Sequence, residues 1–305
     1  MSEEPAVTDK RVTPSTGKGI VCMVAAGFMI SLQDAVTKWL TGSYPVGEVI
    51  FVRSLFVYLP VAWFVWREGG VRCLKIHRPG AQALCCLFTV VATGLYVFSL
   101  SLLPLAEATA ATFTSPIFVT ILAFPLLGER VGRHRWSAVL IGFAGVLLML
   151  RPTGTAVQWA ILIPVCAAFS GALRDIVTRR LTVDESTIAI LFYSNLAITL
   201  LALFTLPFEW RLPTAGDTAL FAAAGVLLGF AYYLWIQAFR FSEVTVVMPF
   251  KYIMVVWAAA LGYLVWGDLP DRFVFAGAAL VVASGLYILR REMLWRLRRP
   301  GEGAI

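Results

Sequence analysis

Charged residues are scarce in this sequence. They make up 14% of its 305 residues, whereas hydrophobic residues make up 59% and the mean hydropathy is +0.81. A soluble domain carries about 25% charged residues, because water must solvate its surface. The composition therefore excludes an ordinary water-soluble protein and predicts an integral membrane protein.

Histidine and paired cysteine are also scarce, which excludes several kinds of chemistry. The two histidines, His77 and His134, lie in polar connectors, and the sequence has no HExxH, GxSxG or phosphate-binding loop. The five cysteines form no CxxC pair, and most lie in apolar runs, where cysteine behaves as a small hydrophobe. Intramembrane hydrolysis needs a nucleophile with a base, or a metal with ligands. The sequence therefore predicts no enzyme, no metal site and no other cofactor.

Long apolar runs fill most of the chain. A window of about 20 residues, the length with which a helix crosses about 30 Å of hydrocarbon, finds ten of them. Each is predicted to be a helix, because backbone polar groups in lipid must be satisfied within the segment. The predicted spans are 18–39, 45–66, 80–102, 106–127, 136–150, 157–179, 186–207, 217–239, 243–266 and 273–290.

Lysine and arginine are unevenly distributed between the connectors. Most of the 25 lie in the two tails and in every second connector, and the other connectors hold only Arg151, Arg211 and Arg272. The positive-inside rule then places both termini in the cytoplasm and the spans in the inner (plasma) membrane. Residues 1–17 are predicted to form a disordered tail and residues 292–305 a basic one. Topology explains the net charge of +7, so no nucleic-acid partner is indicated.

One charged phrase occurs twice. "DAVTKWLT" at 34–41 returns as "DIVTRRLT" at 175–182, with five of eight positions identical. The first copy lies near the outer end of span 1 and the second near the inner end of span 6, so the copies are inverted. Further matches at a similar offset divide the chain into two halves of five spans, 18–151 and 157–291. Inverted halves are typical of proteins that open alternately to the two faces of a membrane.

These features together resemble a known family. Three features carry this resemblance: a "D..TK" motif near the end of span 1, a "GER" or "GD" turn after spans 4 and 9, and a span 5 rich in small residues that ends in "RP". Through these features the sequence resembles the EamA family of the drug/metabolite transporter superfamily. The resemblance covers about residues 18–291. It implies an all-α bundle of ten transmembrane helices with a central cavity lined mainly by spans 1 to 4 and 6 to 9. It implies a transporter, whose substrate the family leaves open between amino acids, nucleotide-like compounds, flavins, polyamines and drugs.

Two basic residues lie deep in the spans. Arg53 and Lys251 are each eight residues into a span, which is about 12 Å at 1.5 Å per residue. A charge near the bilayer centre costs about 2.5 to 3.5 kcal/mol, so it faces an aqueous cavity or pairs with another charge. We interpret both as sites for a substrate carboxylate or phosphate. Neutralisation by Asp34, Glu48 or another acid is the alternative.

The repeated phrase supplies candidate coupling or gate residues. Asp34 and Lys38, like Asp175 and Arg179, are four residues apart and share a helix face. One interpretation is a clamp or gate-closing pair at the span ends. The other is that Asp34 titrates and couples a proton to transport. Arg174 is interpreted as either a cytoplasmic-gate residue or an anchor.

Prolines and polar side chains complete the predicted binding site. Pro116 and Pro249 lie in the matched spans 4 and 9, where each is expected to break the helix. Interrupted helices point to a transporter site, although prolines are also ordinary in membrane helices. The polar or aromatic candidates for the binding site are Tyr96, Thr112, Ser115, Tyr232, Trp235, Gln237 and Tyr252. For the aromatic residues, plain helix packing is the alternative role.

The sequence therefore predicts a secondary transporter that moves a small polar metabolite by alternating access. An amino acid or another zwitterionic or anionic metabolite is the first choice of substrate. A flavin or nucleoside-like compound comes second and a cationic drug third. A channel or a lipid flippase is the different class that the residues leave open.

A reporter that is active only outside the cytoplasm tests this topology. Fused after Arg291 it should be silent, and fused in the connector 208–216 it should be active, because the basic connectors are predicted to be cytoplasmic. Reporter activity in the carboxyl-terminal fusion would contradict the orientation.

Overall fold

All regular structure in the described part of the chain is helical. The computed structural model describes residues 15–68, 70–102, 111–129, 131–150, 162–205 and 210–266, with residue 160 and scattered positions between 272 and 290. The α-helices are α1 Thr16–Thr41, α2 Val46–Arg67, α3 Pro79–Leu102, α4 Ser115–Leu127, α5 Arg133–Leu150, α6 Leu162–Leu181, α7 Thr187–Leu203, α8 Ala215–Phe241, α9 Val244–Val247 and α10 Ile253–Trp266. Two 3-10 helices lie at Gly70–Leu74 and Met248–Tyr252.

The helices coincide with the predicted spans as far as the structure describes them. Helices α1 to α8 correspond to the first eight spans, and α9, the second 3-10 helix and α10 together correspond to the ninth. The tenth span and the tails fall mostly or wholly outside the described residues, so the count of ten stays a prediction. Four described helices are long and apolar enough to cross a membrane, namely Thr16–Thr41, Val46–Arg67, Pro79–Tyr96 and Ala215–Phe241.

Two helices begin again after an interruption that involves proline. The chain turns at 113–114, and α4 then starts with Pro116 in its first turn. In the other half, α9 ends at Val247 and Pro249 lies in the 3-10 helix that separates α9 from α10. Because proline has no N–H to donate, each interruption falls where the helical ladder lacks a donor.

One end of the bundle, which we call the basic end, includes the start of α1 and the described connector residues 68, 70–78, 128, 129, 131, 132, 182–186 and 242–243. There Glu185, 1% exposed, accepts hydrogen bonds from the backbone N–H groups of His77 and Arg78 at 2.7 and 2.5 Å. These groups precede α3 and have no acceptor within the helix. The carboxylate of Glu185 therefore fixes the start of α3 to the turn between α6 and α7.

The described residues of the opposite end include the connector 42–45 and residues 204, 205 and 210–214, and buried polar contacts close this end in a similar way. Glu48, 1% exposed, accepts a hydrogen bond from the backbone N–H of Arg211 at 2.9 Å. The hydroxyl of Tyr44 donates to the carboxylate of Asp217 at 2.7 Å. These contacts hold the start of α2 against the start of α8.

Small residues bring α8 against α2. A Cβ atom at Gly225 would overlap the carbonyl oxygen of Arg53, and one at Gly229 would overlap the ring of Pro60. Helices in membranes associate through such close approaches, because lipid supplies no hydrophobic force between them. The contact fixes the two helices that carry Arg53 and the aromatic residues Tyr232 and Trp235.

Gly225→Ala should separate α2 from α8. Overpacking of this kind costs about 1 to 3 kcal/mol, so thermal unfolding of the detergent-purified protein should shift to lower temperature. Gly216→Ala is the matched control, because it lies on the same helix with no atom within 4 Å of a Cβ placed there. Equal stability of the two variants would contradict the close approach.

Candidate functional site

The charged residues inside the spans interact with one another. Arg53 interacts electrostatically with Asp34 and with Tyr232. Tyr232 also interacts with Arg174, and Lys251 interacts with Asp175 and Arg174. Tyr232 therefore lies between the charged groups of the first half, Asp34 and Arg53, and those of the second half, Arg174, Asp175 and Lys251. We call this part of the bundle the central region.

Arg53 and Asp34 are connected through an amide. Arg53 Nη1 donates to Gln33 Oε1 at 2.9 Å and to Thr37 Oγ1 at 3.3 Å, and Gln33 Nε2 donates to the Asp34 carboxylate. Gln33 is 2% exposed, whereas the Asp34 side chain is exposed. The cation thus meets the carboxylate through Gln33 rather than in a direct ion pair. Glu48, the other acid considered from the sequence, binds the backbone of Arg211 instead.

Arg174 and Asp175 form an ion pair inside the bundle. Arg174 Nε and Nη2 donate to the same oxygen, Asp175 Oδ1, at 3.1 and 2.8 Å. Asp175 is 0% exposed. The two charges neutralise each other, and the second carboxylate oxygen, Oδ2, has no hydrogen-bond partner among the described residues.

Lys251 lies in the 3-10 helix between α9 and α10. Its Nζ is 5.8 Å from the centroid of the Trp235 ring, a cation–π distance. Among the described residues, no carboxylate forms an ion pair within 4 Å of this ammonium. The central region therefore contains three basic side chains and two acidic ones. Among the described residues Arg174 has a direct acidic partner, whereas Arg53 meets Asp34 through Gln33 and Lys251 lies over Trp235.

A cavity lies beside these charges, between α3, α6, α7 and α8, and we call it the central cavity. Its polar and aromatic lining includes Thr89, Arg174, Asp175, Asn195, Tyr232 and Trp235. Its volume is about 40 Å³, enough for only a few water molecules, whereas ligand pockets measure about 300 to 1,000 Å³. The helices must move apart before a metabolite can occupy it.

Some residues singled out from the sequence lie away from this cavity. Gln237 donates to the hydroxyl of Tyr233 at 2.9 Å, and that hydroxyl donates to Glu68 at the basic end. Tyr252 is 0% exposed and packs against α5, where a Cβ at Gly142 would lie 2.6 Å from Tyr252 Cδ2. These two side chains therefore point away from the region where Lys251 and Trp235 meet.

Two other candidates lie on the helices next to the first interruption. Ser115, 2% exposed, is the first residue of α4, and the carbonyl of Tyr96 in α3 accepts from Ser99 Oγ at 2.6 Å. Neither residue lines the central cavity. Thr112 lies in the helical turn before this interruption.

No site residue on α7 was predicted from the sequence, although the family resemblance implied that this helix lines the cavity. Asn195 and Ser194 line the central cavity, and Asn195 Nδ2 donates to the carbonyl of Ser54 at 3.1 Å, which ties α7 to α2. Both follow Tyr193 in an otherwise apolar helix. A short run of polar residues in the middle of an apolar span was the signal that could have identified them.

A polar network joins four helices at the basic end. Glu129, which follows α4, accepts from the backbone N–H groups of Val244 and Thr245 at 3.3 and 3.2 Å and from Thr245 Oγ1 at 2.8 Å. Arg179 Nε lies 3.8 Å from Glu129, and Arg179 Nη1 donates to the carbonyl of Phe239. We call these five residues the basic-end network, and they hold α4, α6, α8 and α9 together.

The two copies of the charged phrase have different environments. Asp175 is buried and Arg179 belongs to the basic-end network, whereas the equivalent residues Asp34 and Lys38 are exposed. The second copy is thus packed inside the bundle, whereas Asp34 and Lys38 of the first copy lie on the outside of the protein.

Comparisons with known proteins agree with this architecture. The model of the EamA-like transporter family matches residues 17–151 and 158–290. A riboflavin transporter of Rhizobium johnstonii is 31% identical over 303 residues, 96% of this chain and 98% of the relative. An S-adenosylmethionine uptake transporter of Rickettsia prowazekii is 29% identical over 262 residues, 86% of this chain and 89% of the relative.

A solved crystal structure has the same fold. It superposes with a TM-score of 0.80 at 20% identity and covers 92% of this chain and 99% of the other. The family match falls on both halves of the chain, and the relatives named above are transporters rather than enzymes. This chain therefore belongs to the EamA-like transporter family and is a membrane transporter.

Proposed function

We propose that the protein is a secondary transporter that carries a small zwitterionic or anionic metabolite across the inner membrane by alternating access. The substrate binds beside Lys251, Arg174 and Asp175 after the central cavity has widened. The observation that supports this proposal most directly is that the ammonium group of Lys251 lies over the ring of Trp235, which lines the central cavity, with no carboxylate in ion-pair distance among the described residues.

The charges favour a substrate with an anionic group. Arg174 is neutralised by Asp175, and Arg53 is linked to Asp34 through Gln33. Lys251 has only the face of Trp235 within the described residues. Because an ammonium group in a low-dielectric site is costly without a partner, a substrate carboxylate or phosphate at this position would be stabilised.

The different environments of the two copies support alternating access. The charge distribution predicts that the basic end lies in the cytoplasm. In this orientation the closed basic-end network and the exposed Asp34 correspond to an outward-facing conformation. In a protein with inverted repeats the other conformation arises when the two halves exchange their environments. The contact between Glu129 and Arg179 would then open while the region around Asp34 closes.

A planar metabolite is the second candidate. Tyr232 and Trp235 line the central cavity and supply ring faces for stacking. Two relatives are named for riboflavin and S-adenosylmethionine, which both contain a planar heteroaromatic ring. A planar substrate needs no carboxylate. The effect of substituting Lys251 on substrate affinity therefore distinguishes a planar metabolite from a zwitterionic or anionic one.

Lys251→Met tests the proposed function in proteoliposomes. The unaltered protein should show saturable counterflow of S-adenosylmethionine, which a channel would not show. The variant should weaken its apparent affinity by roughly 10- to 150-fold, because a hydrogen bond to a charged group contributes about 1.5 to 3 kcal/mol and about 1.4 kcal/mol is tenfold. Riboflavin, which has no carboxylate, should be affected much less.

Lys18→Met is the control for this experiment. Lys18 also lies over an aromatic ring, 5.9 Å from the centroid of Phe241, but at the basic end. Its substitution should leave counterflow unchanged. An unchanged affinity in Lys251→Met, combined with less folded protein, would assign the lysine to structure and favour the planar candidate.

Asp34→Asn tests proton coupling. If Asp34 releases and binds a proton during transport, the variant should lose accumulation driven by a proton gradient and keep counterflow exchange, since only the proton-linked step is removed. Asp217→Asn at the opposite end is the control, because Asp217 is bound by Tyr44 outside the central region. Unchanged accumulation in Asp34→Asn would reduce Asp34 to a partner of Gln33 and Lys38.

A further inference from the structure

Two polar atoms of the central cavity lack a hydrogen-bond partner among the residues that the structure describes. One is Asp175 Oδ2, an acceptor, and the other is Trp235 Nε1, a donor. Both residues line the cavity, and they are 0% and 6% exposed. Native proteins rarely bury such atoms without a partner, so each one calls for an explanation.

Their neighbours hold both side chains in place. Asp175 Oδ1 receives both N–H groups of Arg174, which fixes the carboxylate plane and leaves Oδ2 as the remaining acceptor. The Trp235 ring packs edge-on against Phe239 with centroids 6.1 Å apart, and Lys251 lies over its face. The unpartnered acceptor and donor are therefore built into one rigid lining.

We infer that the central cavity selects ligands that present an N–H donor beside an oxygen acceptor. The ligand N–H donates to Asp175 Oδ2, and the ligand oxygen accepts from Trp235 Nε1. This inference rests on the proposed function and narrows the class of substrate. A carboxylate without an N–H group can bind Trp235 and Lys251, but it leaves Asp175 Oδ2 without a hydrogen-bond partner. A site with buried polar groups rejects ligands that leave those groups without partners.

Two kinds of metabolite carry this pair of groups. An amino-acid zwitterion supplies an ammonium for Asp175 and a carboxylate for Trp235 and Lys251. The imide edge of a flavin supplies an N–H between two carbonyl oxygens. The shared chemistry is the adjacent donor and acceptor, and matched analogues that lack only the donor separate the two sources.

Such a ligand would also connect two helices that move in transport. Asp175 lies on α6 and Trp235 on α8, the same helices that Arg179 joins through the carbonyl of Phe239 in the basic-end network. A ligand bonded to both residues sets the distance between α6 and α8. Recognition of the donor and acceptor is in this way linked to the opening of the basic end.

Asp175→Asn reverses the hydrogen-bonding character of the cavity wall without changing its shape. The amide oxygen takes the place of Oδ1 opposite Arg174, and the amide NH₂ replaces the free acceptor. Affinities should be measured by calorimetry for riboflavin against 3-methylriboflavin, and for S-adenosylmethionine against its deaminated 2-oxo analogue. In 3-methylriboflavin a methyl group replaces the imide hydrogen, and in the 2-oxo analogue a carbonyl replaces the ammonium group, so each analogue lacks the donor at that position.

The unaltered protein should bind the parent compound of one pair at least tenfold more tightly than its analogue, and that pair identifies the source of the donor. In Asp175→Asn this ratio should fall to about one. Asp184→Asn is the control, since Asp184 pairs with Arg78 at the basic end, 2.7 Å away. A ratio near one in the unaltered protein, or a ratio unchanged in Asp175→Asn, would overturn the inference.

Trp235→Phe provides a test that leaves the ion pair intact, in case Asp175→Asn does not fold. It removes the N–H donor and keeps a ring beneath Lys251. The parent and the analogue should both bind about three- to tenfold more weakly, because both retain the oxygen acceptor. Trp63→Phe, on the exposed face of α2, should have no effect. Equal affinities of the two tryptophan variants would contradict the role of Trp235.

The outcome separates this inference from the proposed function. If the unaltered protein binds neither parent compound, the inference is overturned. Citrate has carboxylates but no N–H group. If its counterflow is saturable and depends on Lys251, this result would still support transport of an anionic metabolite.

Discussion

A charged group surrounded by hydrocarbon must find a partner inside the protein, and this constraint organises the centre of the bundle. Arg174 and Asp175 satisfy each other, and Arg53 reaches Asp34 through Gln33. Lys251 has the face of Trp235 and no acidic neighbour within ion-pair distance among the described side chains. The charge of Lys251 therefore lies beside Trp235, a residue that lines the central cavity. Charged residues inside membrane spans are costly and are typical of functional sites.

Close packing of helices determines which side chains reach this centre. The glycines of α8 allow contact with the backbone of α2, which brings Arg53 and Tyr232 within electrostatic range of each other. The polar contacts at both ends of the bundle also hold the helices in place, because Glu185 and Glu48 each bind a backbone N–H of a neighbouring connector. The scaffold therefore positions the site from outside, and the cavity residue Asn195 adds a further hydrogen bond between α7 and α2.

Helices α6 and α8 connect the site to the end of the bundle. Both carry cavity residues in the half that is nearer the basic end, and they meet at that end through Arg179 and the carbonyl of Phe239. A change in the separation of these helices at the cavity must alter the basic-end network, since each helix is a rigid element. The same arrangement gives a physical route by which substrate occupancy and closure of one end influence each other.

The sequence by itself determined the helices, the repeated halves and the set of buried charges, because the membrane imposes apolar runs of a given length and makes each internal charge conspicuous. It also singled out Tyr232 and Trp235 as candidate cavity residues. They are three residues apart and share a helix face, and both line the central cavity. Gln237 is two residues from Trp235 and so cannot share that face, and the structure places it towards Tyr233. Only the tertiary structure decided that Asn195 lines the cavity, that Tyr252 turns to α5, and that one copy of the charged phrase is buried while the other is exposed. The physical reason is that a helix that is apolar on all sides marks no inward face, so its rotation and the conformation of the whole bundle depend on contacts between distant parts of the chain.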